Sequence, residues 1–177
     1  MIDLTDFTIP GTGVLRNKLG ITDPIAFSKA ATESTAHRLT ELQTSPIRGG
    51  FDSVHLQEIH RHIFQDLYDW AGQLRPIDCG NVPASRLEKS LDSIFDRLGR
   101  DNHLKGLSPG EWANSASSYI YDLEMAQPFL AGNEMAIHEF TDELARKNNM
   151  SLQWDTTPDI AADSSMLLSQ TVRSANL

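Results

Sequence analysis

The chain has 177 residues, of which 40% are hydrophobic and 22% are charged, so it is long enough to bury a sizeable core and has the composition of a globular protein. Its net charge of −9, with 15 basic against 24 acidic residues, argues against a large nucleic-acid-binding surface, because such surfaces need clustered lysine and arginine. The single cysteine excludes an internal disulfide, and no apolar run is long enough for a membrane-spanning helix. The amino terminus lacks the features of a secretory signal, so a cytoplasmic location is expected, although secretion without a cleaved signal stays open.

The first half of the chain predicts two helices. Residues 1 to 22 are irregular, and Asp23-Pro24 then predicts a helix that runs to about Leu42, since aspartate caps helices and proline suits their first position. Asp52 is expected to cap a second helix. Its apolar residues share one face because they are three and four apart: Leu56, Ile59, Ile63 and Leu67.

Residues 73 to 84 are rich in turn formers and predict an irregular connector. The patterns Ser85-x-x-Glu88 and Ser108-x-x-Glu111 each predict a capping box at the start of a helix, the second of which reaches to about Met125.

The last part of the chain predicts a helix from Asn133 to Lys147 and a weaker one from Thr157-Pro158 to about Arg173. Six helices with hardly any strand predict an all-α fold. With no repeat and no long interior linker, we expect residues 1–177 to form a single domain.

The most informative segment runs from Gln127 to His138 and reads Gln-Pro-Phe-Leu-Ala-Gly-Asn-Glu-Met-Ala-Ile-His. It predicts a loop that leads into a helix amino terminus at Gly132-Asn133, where free N–H groups and the helix dipole favour an anion. Glu134 in the first turn would stabilise the helix of an empty loop, but it would repel a bound triphosphate.

Other candidate chemistry is weaker. His55, His60 and His62 lack the spacing of a metal pair, so packing or surface roles are expected and no metal site is predicted. Cys79 has no neighbouring base, and nothing else resembles a nucleophile. Five carboxylates are expected on solvated helix faces: Asp122, Glu124, Glu139, Asp142 and Glu143.

The chain resembles the Fic (Fido-superfamily) domains. The run from Phe51 to Arg75, which ends in Tyr-Asp-Trp-Ala-Gly-Gln-Leu-Arg, is similar to the family's amino-terminal signature, and Gly13 to Gly20 matches its usual lead-in. The resemblance covers about residues 10–154. It implies an all-α core with a small β-hairpin flap and, for active members, transfer of AMP from Mg-ATP to a hydroxyl group of a target protein.

The family's active pattern is His-Pro-Phe-x-(Asp/Glu)-Gly-Asn-Gly-Arg-x-x-Arg, and this chain departs from it at five positions. Gln127 stands at the place of the histidine base and Ala131 at that of the magnesium-binding acid. Glu134 replaces a glycine, and Met135 and His138 replace the two phosphate-binding arginines. The resemblance therefore implies that the residues of AMP transfer are absent, so no catalytic residue is expected.

Pro128 matches the pattern, and so do three residues of the implied anion or nucleotide loop: Phe129, Gly132 and Asn133. The interval between Arg75 and Ser85 is too short for the usual flap, so a shortened or missing flap is expected. The family's self-inhibitory Ser/Thr-x-x-x-Glu motif is absent.

The leading hypothesis is a degenerate Fic protein that lacks AMP transfer and acts as a protein-binding or regulatory module, with weak or no ATP binding and no cofactor. A protein partner is expected, and neither nucleic acid nor a membrane. An alternative is an active transferase that uses a non-standard donor, with His138 or Glu134 as base. A third is an evolutionary remnant or an immunity-like partner of an active relative.

Overall fold

A computed structural model describes residues 3–154 and the backbone of residues 173 and 174. The described residues contain five α-helices, and these confirm the all-α class. In chain order they are α1 (Pro24–Thr44), α2 (Ser53–Phe64), α3 (Ala84–Arg100), α4 (Pro109–Ala126) and α5 (Asn133–Lys147). Two short 3-10 turns lie at Leu4–Phe7 and Asn102–Leu104.

Local caps start three of the helices as the sequence predicts. The Asp23 carboxylate accepts the N–H of Ala26 at 2.7 Å, and the Asp52 carboxylate accepts the N–H of His55 at 2.9 Å. At α4 the Glu111 carboxylate accepts from the backbone N–H of Ser108 at 3.0 Å and from its hydroxyl at 2.6 Å, which confirms that capping box.

The capping box predicted at Ser85 is wrong. Helix α3 begins two residues earlier than that cap implies, at Ala84, with Pro83 at the cap position. The Asp78 carboxylate accepts the Ala84 N–H at 2.6 Å and so takes over the role of the cap. A side chain from the connector therefore accepts the hydrogen bond of the first N–H group of α3.

Helix α5 is the centre of the bundle. It packs on α2, α4 and β1, and its inward residues Ile137, Phe140 and Ala145 are at most 3% exposed. The facing residues Ile59 and Ile63 of α2 are fully buried. The loop that begins α5 is thus attached to the best-packed helix, which fixes its position.

The central place of α5 also corrects the expectation for its carboxylates. Glu139 and Glu143 are only 5% and 6% exposed, because neighbouring elements cover α5 on most sides. The Glu139 carboxylate accepts from Arg146 at 2.8 Å, and burial raises its pKa. Glu143 accepts from the Ile47 N–H at 3.0 Å and lies 2.9 Å from Nε2 of His55. Glu143 thus ties α5 to α2 and to the chain before it, whereas the partner of Glu139 lies within α5.

The residues after α5 form a short antiparallel pair, in which β1 (Met150–Ser151) faces β2 (Arg173–Ser174). The helix predicted for residues 158–172 lies outside the described residues, and its predicted end at Arg173 is strand. No helix within the described residues combines the length and apolar character that crossing a bilayer requires.

Candidate functional site

A six-residue loop connects α4 to α5, and its two ends adopt left-handed backbone conformations. Gln127 ends α4 with φ 43° and ψ 68°, and Gly132 precedes α5 with φ 75°. These two residues turn the chain sharply from one helix into the other. The loop and the helix start at Asn133 are therefore placed as the sequence predicts.

Asn133 closes the loop into a ring. Its Oδ1 accepts the N–H of Phe129 at 2.8 Å, and its Nδ2 donates to the carbonyl of the same residue at 2.9 Å. The side-chain amide thus completes a two-bond pairing with one backbone residue, which a shorter or charged side chain could not reproduce. Asn133 is a structural member of the loop.

Phe129 and His60 hold the loop against α2. Phe129 is fully buried, and its ring stacks on the His60 imidazole with centroids 3.8 Å apart and an angle of 21°. His60 Nε2 donates to the carbonyl of Ala131 at 3.0 Å, and its Nδ1 accepts the N–H of Gly72 at 2.9 Å. One neutral imidazole therefore joins α2, the Trp-Ala-Gly turn and the loop.

Burial lowers the pKa of His60 to about 4, despite the opposing hydrogen bond to Ala131. The hydrogen bond from the Gly72 N–H to Nδ1 also favours a lowered pKa, because protonation of Nδ1 would break this bond. His60 consequently stays neutral near pH 7 and acts as a positioning residue for the loop.

Replacing His60 with glutamine is expected to make protein stability less sensitive to acid. The folded-state pKa of His60, about 4, lies below its ordinary value of 6.5, so its stabilising contribution is present above 6.5 and is lost as the pH falls towards 4. Between about pH 7 and about pH 5 the wild type should lose about 2 kcal/mol more of its free energy of unfolding than His60→Gln. Urea unfolding of both proteins at the two pH values measures this difference, and equal losses would contradict it.

The surface of the loop carries a different set of side chains. Gln127, Glu134 and Met135 are exposed, and Ala131 is half-buried. Within the described residues the N–H groups of Asn133, Glu134 and Met135 have no protein acceptor, as is usual at a helix amino terminus. The backbone thus offers an anion its donors, while the side chains beside them are neutral or negative.

His138 faces Trp154. Their rings are stacked 3.7 Å apart at 10°, and the indole N–H donates to both carboxylate oxygens of Asp142 at 3.1 Å. Burial lowers the pKa of His138 to about 4, and Nε2 is buried without a partner among the described residues. Burial raises the pKa of Asp142 to about 6, against the hydrogen bond from Trp154 and the charge of Arg146. His138 is thus a neutral ring packed against the segment that follows α5.

Arg75 clasps the connector to the end of α4. Its guanidinium is only 2% exposed and donates to the carbonyls of Gln127 at 2.6 Å, Ala126 at 3.1 Å and Ile77 at 2.5 Å, and also to that of Val82. The backbone N–H of Arg75 donates to Pro128 at 2.9 Å. Residues 73–83 consist of bends and irregular chain without a strand, as the sequence predicts for a shortened or missing flap.

Sequence reasoning placed the loop but missed two residues that hold it. The spacing of the histidines indicates only a packing or surface role for His60, and Arg75 stands out only as part of the family signature. Both act on backbone groups far away along the chain. Their position in the Phe51–Arg75 signature was the available indication, because a long signature outside the loop implies residues that support it.

A metal centre is not assembled in the described part of the chain, where His, Cys, Asp and Glu side chains form no group of three or more able to hold an ion. His55 is bonded to Glu143, His60 to the loop and His62 to Glu41 at 3.1 Å. Cys79 lies exposed on the connector.

The sequence is similar to those of known proteins. Residues 50–145 match the profile of the Fic/DOC family. The protein adenylyltransferase VbhT of Bartonella schoenbuchensis is 33% identical over 154 residues, which are 84% of this chain and 32% of VbhT. The probable protein adenylyltransferase Fic of Escherichia coli K12 is 31% identical over 153 residues, which are 84% of this chain and 76% of that protein. The chain thus spans about a third of VbhT and about three quarters of the E. coli protein.

Solved structures show the same fold. The amino-terminal Fic domain of a putative cell filamentation protein, a VirB-translocated Bep effector from Bartonella quintana, superimposes with a TM-score of 0.84. The match covers 96% of this chain and 92% of that one at 22% identity. The resemblance drawn from the Phe51–Arg75 signature is confirmed, and the chain belongs to the Fic/DOC family.

Proposed function

We propose that this protein does not transfer AMP by the family's route and acts instead as a protein-binding or regulatory module. One observation carries the proposal. The residues that shape the loop are buried or half-buried and contact one another, whereas the exposed positions beside the free N–H groups supply no base, no cation and no metal ligand apart from Glu134. We place this role in the cytoplasm, whose reducing conditions suit the exposed thiol of Cys79.

Mg-ATP does not fit the side chains that surround this loop. Ala131 offers no oxygen to a magnesium ion, and hard cations need oxygen ligands. Glu134 is exposed at the helix start, where its negative charge opposes a triphosphate. Met135 is 41% exposed and offers no donor to a phosphate oxygen. The loop backbone alone would therefore have to bind the nucleotide.

The expected loss of rate is large. A missing general base costs about 10² to 10⁴ in rate, and a missing cationic phosphate clamp costs about 10³ or more. Gln127 cannot accept a proton near neutral pH, and His138 is uncharged there. Even if these reductions in rate combine only in part, the remaining rate of AMP transfer is too low to be useful.

The rival hypothesis, an active transferase with His138 or Glu134 as base, fits the geometry less well. Nε2 of His138 is buried, and its ring is covered by Trp154, so a target hydroxyl cannot reach it without movement of that segment. Glu134 is exposed and accessible, but it lies in the first turn of α5, where its charge would oppose phosphates at the helix start. A base that repels its own donor is a poor arrangement for phosphoryl chemistry.

Calorimetric titration of the purified protein with Mg-ATP tests the proposal, and we expect a Kd no tighter than about 1 mM, about −4 kcal/mol in binding free energy. In parallel, incubation with labelled ATP and a cell lysate should transfer no label to any protein. Micromolar binding would show that the loop is still a nucleotide site. Label transfer that disappears in Glu134→Gln or His138→Ala would establish the rival.

A further inference from the structure

The outer side of α3 separates its charges into two stripes. One stripe, called here the basic stripe, combines cations and hydroxyls at helical spacing: Arg86, Lys89, Ser90, Ser93, Arg97 and Arg100. The neighbouring stripe is acidic and consists of Glu88, Asp92 and Asp96. In a chain with a net charge of −9, this gives α3 a locally positive face.

The amino-terminal half of the basic stripe forms one wall of a cleft of about 720 Å³, called here the α3 cleft. The opposite wall is the connector, which contributes Val82 and Pro83. No carboxylate is among the residues that line the cleft, which include Arg86, Lys89, Ser90 and Ser93. Its polar side chains are therefore two cations, two hydroxyls and the Asn81 amide, none of them negatively charged.

The cations in the cleft have no carboxylate partner within the described residues. Arg97, further along the stripe, is bonded to Asp122 and lies 4.5 Å above the Tyr119 ring. Arg86 and Lys89 take part in none of the ion pairs that the described residues form, and both side chains are exposed. They are free to bind an external anion without breaking an internal contact.

A hydrogen bond from Arg75 fixes the connector side of the cleft, and exposed apolar residues of α4 lie beside it. The Arg75 guanidinium donates a hydrogen bond to the Val82 carbonyl. Asn81 lies at the mouth of the cleft, with its Nδ2 3.6 Å from the sulfur of Met125. Met125 and Tyr121 are 38% and 46% exposed, and they are one helical turn apart on α4. A ligand in the cleft would thus meet two cations, and a ligand that extends past Asn81 would reach an exposed apolar surface.

We infer that the α3 cleft binds an acidic peptide segment of a partner protein, with carboxylates on Arg86 and Lys89 and an apolar side chain against Met125. The inference rests on the proposed role as a protein-binding module and names the surface that performs it. The charge of the cleft is opposite to that of the rest of the chain, which selects an acidic partner. A pre-formed wall lowers the entropic cost of binding, because the connector does not need to become ordered.

The test uses a short fluorescein-labelled peptide of alternating glutamate and leucine, titrated with the full chain and followed by fluorescence anisotropy. The double variant Arg86→Glu and Lys89→Glu should weaken binding by at least about tenfold, since two favourable charge pairs become repulsive. The matched control is Lys29→Glu with Lys105→Glu, which changes the net charge equally at two exposed residues outside the cleft. It should leave the Kd within about twofold, as expected for screened distant charges.

Three outcomes would overturn the inference. The first is equal weakening in both double variants, which would indicate unspecific attraction. The second is equal affinity of the wild type for the same peptide with glutamine in place of glutamate. The third is displacement of the peptide by a single-stranded oligonucleotide that binds more tightly, which would make the cleft a nucleic-acid site. Circular dichroism of each variant confirms that the helices are retained.

The peptide experiment and the nucleotide titration test two different sites, so a negative result in one does not affect the conclusion from the other. Peptide binding tests the α3 cleft, whereas ATP binding and label transfer test the loop between α4 and α5. Label transfer by the wild type would reject the proposed function and leave the cleft result standing. Loss of peptide specificity with no label transfer would reject the cleft alone.

Discussion

A variant that restores the family pattern at five positions should bind Mg-ATP at least about a hundredfold more tightly than the wild type, because each charge-assisted hydrogen bond contributes about 1.5–3 kcal/mol. The changes are Gln127→His, Ala131→Glu, Glu134→Gly, Met135→Arg and His138→Arg. Glu134→Gly removes the like charge at the helix start, and Met135→Arg adds a donor at a position that is 41% exposed. The measurement is the same calorimetric titration as for the wild type.

The change at position 138 calls for a control of its own, because His138 is stacked under Trp154. An arginine there can keep that contact, since a planar guanidinium also stacks on an indole face. A four-position variant that retains His138 should therefore show an intermediate affinity. If the five-position variant folds and still fails to bind ATP, the loop is not a disabled nucleotide site, and that part of the proposal is lost.

Gly132→Ala is expected to lower the free energy of unfolding by about 3 kcal/mol, since a side chain at positive φ costs about 1–2 kcal/mol and overpacking a core adds about 1–3 kcal/mol. Gly132 has φ 75°, and an added Cβ would lie 2.2 Å from Cζ of Phe64. The Phe64 ring cannot swing away cheaply, because it is 5% exposed and packs beside His60 and Tyr68. Urea unfolding monitored by circular dichroism measures the loss.

Gly99→Ala is the matched control for this substitution. Gly99 lies in the last turn of α3, and an added Cβ there meets no atom within 4 Å. Alanine should stabilise this helix by up to about 1 kcal/mol. Equal urea midpoints for the two variants would mean that α2 and the loop are not in contact at Phe64, which would contradict the site described above.

The course of the helices was readable from the sequence wherever the determinants are local. The caps at Asp23, Asp52 and Ser108 lie within three residues of the groups they satisfy, so the sequence shows both partners together. The start of α3 differs from the prediction because the carboxylate that caps it, Asp78, comes from the connector. A rule that depends on spacing within the helix cannot detect such a cap.

Burial on α5 shows a second kind of failure. The sequence pattern predicts a solvated face for Glu139 and Glu143, because a typical amphipathic helix has one side in water, but both residues are buried. A central helix is covered on several sides, and its charges are then tolerated only with partners such as Arg146 and His55. Those partners lie on other turns and other helices, so tertiary structure decides the outcome.

For the loop, the pattern from Phe129 to Asn133 was sufficient to predict a turn followed by a helix start. The residues that fix its geometry were not identified, because His60 and Arg75 act on backbone carbonyls and N–H groups, which every residue possesses. No particular side chain has to appear at the other end of such a bond. A single sequence therefore does not reveal which residue accepts or donates the hydrogen bond of His60 or Arg75.

The same property of Arg75 has a practical consequence for protein engineering. The arginine grips the connector through the carbonyls of Ile77 and Val82, so the shape of this segment depends little on which side chains it carries. Asn81, at the rim, is exposed and is not held by the clasp. The stretch can serve as a grafting site in which foreign recognition residues are displayed on a pre-shaped backbone, provided that Asp78 is kept as the cap of α3.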